Sequence, residues 1–377
     1  IKKMIFDSHV YTFPDLKSDG GYPDKKMFRK HLQLGIASHF QPAWSKKDRA
    51  IGNDKALIDL SNPWSFDGLK ECDFNPSKFG RFEWIDNGES FVKQYLPPSV
   101  ENMTYSAEHL IAEMDYALVD MALIHRHPYL GISNQFISDC VKKFPSRLKG
   151  LAHIEEWLIT TQQDLSIQKL ETAFDEMDLS GLQFIPDSIT LYNKKLDWTD
   201  IEYKKFWDKF SEINKPLFIT PNYSLLTAKG DINFLDSLND QFHLINSWMK
   251  KYPNVKVVFT HGLPWRMFVD GDRLNIPEEV FQSLPKNNPN FSLQLLFPIF
   301  LGDIWDYPMI QVKSTVENLV KLLGAERLIW GTDMPMVMRY FTYKQCVKQI
   351  QISCDFLKTQ ESNLITGGNI SNLLGIN

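Results

Sequence analysis

The sequence predicts a (β/α)8 barrel, and three observations predict it. Eight short apolar runs recur along the 377 residues, most of them preceded by a stretch with helical patterning. Alternation of this kind builds a parallel sheet from βαβ units. Eight units in order favour closure over an open doubly wound sheet, and no glycine-rich dinucleotide fingerprint follows any run. Polar residues gather where the apolar runs stop, which is where side chains face the active site in such a barrel.

The elements follow in chain order. Residues 4–9 form the first run and carry Asp7-Ser8-His9. Residues 119–124 form the second and end in His125-Arg126-His127-Pro128. The third, 148–153, follows a helical stretch stopped by Pro145 and ends on His153, with Glu155 just beyond. The fourth, 181–185, is ended by Pro186, which cannot continue a ladder. The fifth, 216–220, follows a helix over 200–214 and ends in Thr220-Pro221. The sixth, 255–261, follows a helix over 234–251 and ends in Thr260-His261-Gly262. A weaker seventh spans 291–295. The eighth, 328–333, follows a helix over 310–323 and delivers Asp333, with Pro335 beyond it. Helices from Tyr343 onward close the chain.

Two stretches break the repeat. Residues of about 12–105 are rich in Pro, Gly, Trp and charge, and about 263–291 is polar with several Pro and Asn. Both are expected to be long loops inserted at the C-terminal face of a single domain over 1–377, acting as lids or substrate-binding elements.

Composition narrows the function classes. A hydrophobic content of 43% fills a large core, and 26 Phe with ten Trp suit a deep core or an aromatic-lined pocket. The net charge is −5 with no Lys/Arg block, so nucleic acid is not an expected partner. Cys72, Cys140, Cys346 and Cys354 are scattered without a Cys-x-x-Cys, which suits a reducing cytoplasm better than a disulfide scaffold. Met4 reads as a natural start. Neither a membrane span nor a signal peptide is expected.

The strand ends carry the chemistry. Asp7 and His9 stand at i and i+2, a spacing that puts two strand side chains on one side, and His with carboxylate suits zinc or manganese. An Asp or His there also reads as a structural hydrogen-bonder. His261 reads as a ligand, a general base or an electrophile, or as a core histidine bonded to a carbonyl. Asp333 reads as a metal ligand, as the base that activates a bound water, or as a helix cap. His125 and His127 beside Arg126 suit a carboxylate-bearing substrate, or simply a loop. His31, His39, His109 and His243 read as surface or packing residues.

Together these segments resemble the amidohydrolase-related family that includes aminocarboxymuconate-semialdehyde decarboxylase, resorcylate-type decarboxylases, lactonases and hydratases. The likeness rests on Met4-Ile5-Phe6-Asp7-Ser8-His9, Phe144-Pro145-Ser146-Arg147-Leu148-Lys149-Gly150 and Thr260-His261-Gly262. It extends to Gly324-Ala325-Glu326-Arg327-Leu328-Ile329-Trp330-Gly331-Thr332-Asp333-Met334-Pro335 and to the tail around Gly367-Gly368-Asn369. It is sparse across the two insertions. The family pattern implies two ligands on the first strand, which here are Asp7 and His9, or His9 with Tyr11 in the second place. It also implies a histidine ending the fifth strand, where this chain has Thr220, a poor ligand for a divalent metal.

The resemblance therefore implies hydrolysis or non-oxidative decarboxylation of a small aromatic or unsaturated carboxylate, with hydrolysis favoured. Asp333 and His261 are the expected catalytic residues. Arg126, His125, His127, Thr220 and Tyr11 are expected to bind substrate, and Asp7, His9 and Asp333 to hold a divalent metal, Zn or Mn. Because Tyr11 and Thr220 replace expected ligands, two alternatives stand: a metal-independent lactonase-type hydrolase using Asp333, and a barrel that only binds ligand. A cytoplasmic homodimer is the expected setting.

Overall fold

The structure is a computed structural model that describes residues 4–52, 57–59, 61–62, 65–192, 196–221 and 234–376. Eight parallel strands follow one another in chain order: Phe6–Val10, Met121–Ile124, Leu148–His153, Gly181–Phe184, Leu217–Ile219, Val257–Phe259, Phe291–Leu295 and Leu328–Trp330. Each pairs with the next in parallel. The two ends then meet. The Asp333 N–H donates to the His9 carbonyl at 2.9 Å and the Tyr11 N–H to the Met334 carbonyl at 2.7 Å, closing the ring into the expected (β/α)8 barrel.

The strands are apolar runs because both faces are covered. Inside, Phe6, Met121, Leu123, Leu151, Phe218, Val258 and Ile329 form one buried cluster with Ile370 from the closing helix. That layer plugs the barrel below the polar strand ends. The Asn369 amide secures the closing helix, donating to the carbonyls of Ala325 and Leu328 at 2.7 and 2.8 Å.

The outer helices begin and end where their chemistry dictates. Ser106 caps Ala107–Ala117 and Ser133 caps Asn134–Lys143, each accepting an N–H of the first turn. Thr342 and Gln345 form a capping box for Tyr343–Ser353. Lys204–Ile213 buries Phe206, Trp207 and Phe210, and Asn214 ends it in a left-handed conformation. No described helix is long and apolar enough to cross a membrane.

The first insertion carries more structure than the long loop expected from sequence. A helix, Lys25–Ser38, is capped by Asp24. Beyond it Ala43–Ser45, Asn75–Pro76, Arg81–Asp86 and Glu89–Gln94 make a four-stranded antiparallel sheet. Phe82 and Trp84 alternate inward along the third of these, and Asn87-Gly88, both at positive φ, turn it into the fourth. The second insertion folds into the short hairpin Val269–Asp270 with Arg273–Leu274 and the helix Glu278–Ser283.

Candidate active site

Three strand ends bring His9, His261 and Asp333 together at the barrel mouth. Their donor atoms lie within 4.8 Å of one another, the one such His/Cys/Asp/Glu group among the described residues. His9 Nε2 is 3.5 Å from Asp333 Oδ1, and His261 Nε2 is 3.6 Å from the same oxygen. Two ligands of a tetrahedral metal bonded at 2.0–2.2 Å sit about 3.3–3.6 Å apart. The donor set and its spacing therefore fit a divalent metal.

Backbone geometry aims two of these side chains. His261 and Asp333 both adopt left-handed conformations, φ 64° and 69°. Non-glycine residues rarely do so, and the cost is of order 1–3 kcal/mol each, a pattern that concentrates at functional sites. Both strained amides are held: the His261 N–H by Gln294 Oε1 at 3.1 Å, and the Asp333 N–H by the His9 carbonyl.

The protonation of His9 follows from its neighbours. The Gln294 amide nitrogen faces the Ser8 carbonyl and hydroxyl, both at 3.0 Å, and a carbonyl can only accept. Gln294 Oε1 must then accept from His9 Nδ1, 2.9 Å away. The lone pair of His9 is left on Nε2, where the Tyr11 hydroxyl donates at 2.9 Å. Burial holds the His9 pKa well below the usual histidine value, aided by repulsion from His125 and His261. The ring is thus neutral, the form a metal ligand needs. Burial pushes the Asp333 carboxyl up, but the hydrogen bond from the His261 ring, aided by the neighbouring His9 and His261 rings and by Arg339, more than offsets this, and its pKa ends below the ordinary carboxylate value.

A cavity of about 250 Å³ opens above these residues. Tyr11, His127, Thr220, His261 and Asp333 line it from the barrel side. Tyr129 comes from the loop after the second barrel strand, and Phe300 from the segment after the seventh. The first insertion supplies its outer wall with His31, Ser38, His39, Phe40 and Tyr95. The Tyr95 and Tyr129 hydroxyls bond at 3.1 Å, and Thr220 bonds Thr260 at 2.6 Å. Gly35 makes room for the Tyr129 ring, since a Cβ there would stand 2.5 Å from it.

Three expected site residues turn elsewhere. Asp7 does not join His9, because the pairing of the first and second barrel strands shifts register between Asp7 and Val10. The same-side rule for i and i+2 fails across such a bulge. The Asp7 carboxylate accepts from the His9 and Thr332 N–H groups at 3.0 and 3.1 Å, from the Thr332 hydroxyl at 2.5 Å and from the Tyr343 hydroxyl at 2.9 Å. Burial lifts its pKa to about 7, against the pull of these donors. Arg126 is a strut: its guanidinium donates to the carbonyls of Thr12, Leu130 and Gly131, and burial brings its pKa down to about 10. His125 lies behind the site, stacked on His9 at 3.6 Å between ring centroids with Nε2 donating to the Ser8 carbonyl.

Conversely, sequence reasoning left out Gln294, Tyr95 and Tyr129 and placed His31 and His39 at the surface or in packing, whereas both line the cavity. The signal for His31 was present, because Phe28, His31, Leu32 and Gly35 share one helical face.

No model of a known protein family matches the chain. Among curated proteins it is 23% identical over 256 residues to a 2-amino-3-carboxymuconate-6-semialdehyde decarboxylase of Dictyostelium discoideum, across 64% of this chain and 65% of that protein. The chain thus spans just under two thirds of the relative's length. Among solved structures it resembles a probable 2-pyrone-4,6-dicarboxylic acid hydrolase from Acinetobacter baumannii with citric acid bound. There the TM-score is 0.52 at 17% identity, over 73% of this chain and 90% of the other. It also resembles a dihydroxybenzoic acid decarboxylase from Polaromonas carrying manganese and 2-nitroresorcinol, with TM-score 0.51 at 15% identity, over 73% and 87%. These likenesses establish the barrel fold, and they fall in the group of proteins that the sequence motifs resemble.

Proposed function

We propose that the chain is an amidohydrolase-like enzyme that hydrolyses or non-oxidatively decarboxylates a small aromatic or unsaturated carboxylate. A divalent metal, Zn or Mn, would be held by His9, His261 and Asp333. The observation that carries this reading is the convergence of three metal-competent donors, two of which, His261 and Asp333, line an aromatic-walled cavity. The curated relative is named a decarboxylase, and the structural neighbours are named a hydrolase and a manganese-bound decarboxylase. Four free thiols suit a cytoplasmic setting.

A metal bound there would polarise a substrate oxygen or acidify a coordinated water. The chain's own groups do the rest. Asp333, ionised and facing the cavity, takes the proton of an attacking water in hydrolysis. In decarboxylation the same carboxylate first takes up a proton, from the substrate's carboxylic acid or from solvent, and delivers it to the ring carbon that loses CO2. The Tyr11 and Tyr129 hydroxyls and His127 are placed to bond substrate oxygens, while the rings of Phe40, Tyr95 and Phe300 exclude water.

A second reading is metal-independent hydrolysis, and one observation favours it: the His9 lone pair already accepts the Tyr11 hydroxyl, while Thr220 offers no nitrogen donor. Asp333 would then activate water and His261 polarise the carbonyl.

Elemental mass spectrometry of the wild type, His9→Ala and Asp333→Ala, beside turnover of aryl acids and lactones, decides between the two. The leading reading expects about one Zn or Mn per chain in the wild type and loss of it in both variants. Full turnover in metal-stripped protein overturns that reading and leaves the second.

A further inference from the structure

We propose that Gln294 is a positioning residue of this site. Its one amide sets which nitrogen of His9 is bare and holds the strained backbone of His261, so that both rings meet at Asp333. The role it would play in turnover rests on the function proposed above, but its effect on His9 does not.

Gln294 lies within the seventh barrel strand and is fully buried. All its hydrogen-bonding capacity is used. Two donors go to Ser8, at the carbonyl and the hydroxyl, and two acceptor sites take the His9 Nδ1–H and the His261 N–H. The orientation of the amide is fixed, since reversing it would set an amide N–H against the His261 N–H and an oxygen against the Ser8 carbonyl. The Ser8 carbonyl also accepts from His125 Nε2, whose ring covers one face of His9. The Ser8 hydroxyl continues the brace by donating to the Trp330 carbonyl of the eighth strand at 2.7 Å. One amide thereby ties the first, sixth and seventh strands together and reaches the eighth through Ser8.

The turn after His261 is shaped around this residue as well. Gly262 has φ 80°, and a Cβ there would lie 2.1 Å from the Gln294 carbonyl oxygen. Only glycine lets the chain cross Gln294 so closely, and that crossing brings His261 back toward Asp333.

The chemistry of the side chain accounts for its identity. Leucine would leave His9 Nδ1 and the His261 N–H without partners and take from the Ser8 carbonyl one of its two donors. Glutamate would keep the acceptor that His9 and His261 use while giving up the donors to Ser8. If the amide served only to staple strands, the protonation of His9 would not depend on it, and this separates the two roles.

The test is nuclear magnetic resonance of isotope-labelled histidine in chelator-treated protein, for the wild type, Gln294→Leu and Gln294→Glu, with zinc affinity measured by chelator competition. In the wild type and Gln294→Glu, His9 is expected to carry its proton on Nδ1. In Gln294→Leu the proton moves to Nε2, and zinc affinity falls by about 10–100-fold. Near-ultraviolet circular dichroism reports whether each variant is folded. Retention of the Nδ1 proton and wild-type zinc affinity in folded Gln294→Leu overturns the proposal. If that variant does not fold, Gln294→Glu decides: its His9 must keep the wild-type form, and a switch to Nε2–H overturns the proposal. Should zinc bind to none of the proteins, the metal reading of function fails while the histidine signals still decide the role of Gln294.

Discussion

The two halves of the barrel mouth hold similar residues in opposite states. On the arc formed by the first, sixth, seventh and eighth strands, His9, His261, Gln294 and Asp333 are joined to one another, and Asp333 is kept ionised. On the arc of the second to fourth strands stand His125, His153, Glu156 and Gln183, equally buried. There His125 Nδ1, both nitrogens of His153, Glu156 Oε2 and Gln183 Nε2 have no hydrogen-bond partner among the described residues. Burial takes the pKa of His125 to about 3, of His153 to about 4 and of Glu156 up to about 8, so all three are uncharged at neutral pH. A histidine or carboxylate at a strand end is therefore not yet a site. It becomes one when neighbours fix its protonation and the cavity reaches it.

The sharpest way to break this contrast is Asp333→Asn. Removal of the ionised carboxylate beside His9 and His261 is expected to lower kcat/KM by about 10²–10⁴-fold, measured on the best substrate of an aryl-acid and lactone panel. Unchanged turnover would erase the difference between the arcs.

The opposite arc predicts an effect on stability alone. Glu156 has a folded pKa near 8, above its ordinary 4.5, so the folded state binds the extra proton. Wild-type stability should fall, relative to Glu156→Gln, as pH rises from about 4.5 to about 8, with a constant gap above that. The full gap is on the order of a few kcal/mol by urea unfolding, with turnover at pH 7 essentially unchanged. A parallel pH profile for the two proteins would show that Glu156 is ionised in the fold.

The smallest effect sharpens the active arc. Tyr11→Phe frees the His9 lone pair from a competing hydroxyl, and zinc affinity should rise about 3–10-fold, the worth of one hydrogen bond. A fall would instead identify the Tyr11 oxygen as a metal donor.

Much of the architecture was legible because the barrel strands are covered on both faces and read as unbroken apolar runs. His9, His261 and Asp333 were legible because each stands where such a run stops. Asp7 misled because a register shift, set by the partner strand, turned it outward. Gln294 carries no local mark, since its role exists only once the first and sixth strands lie beside it. The small sheet was announced by Asn87-Gly88 and by the alternation of Phe82 and Trp84, a period-2 signal inside a segment whose composition suggested loop. Tyr95 and His39 reach the cavity only through the docking of the insertion, which no local pattern encodes.

The bond between Asp7 and Thr332 spans 325 positions of the chain. On the ribosome the first barrel strand emerges well before the eighth, so the acidic group waits for the rest of the barrel to be made before it meets Thr332. Until then the sheet has an open edge, the kind of surface that pairs with other chains. A chain interrupted anywhere before residue 333 lacks the ionised carboxylate that stands beside His9 and His261, so truncated products are expected to be inert.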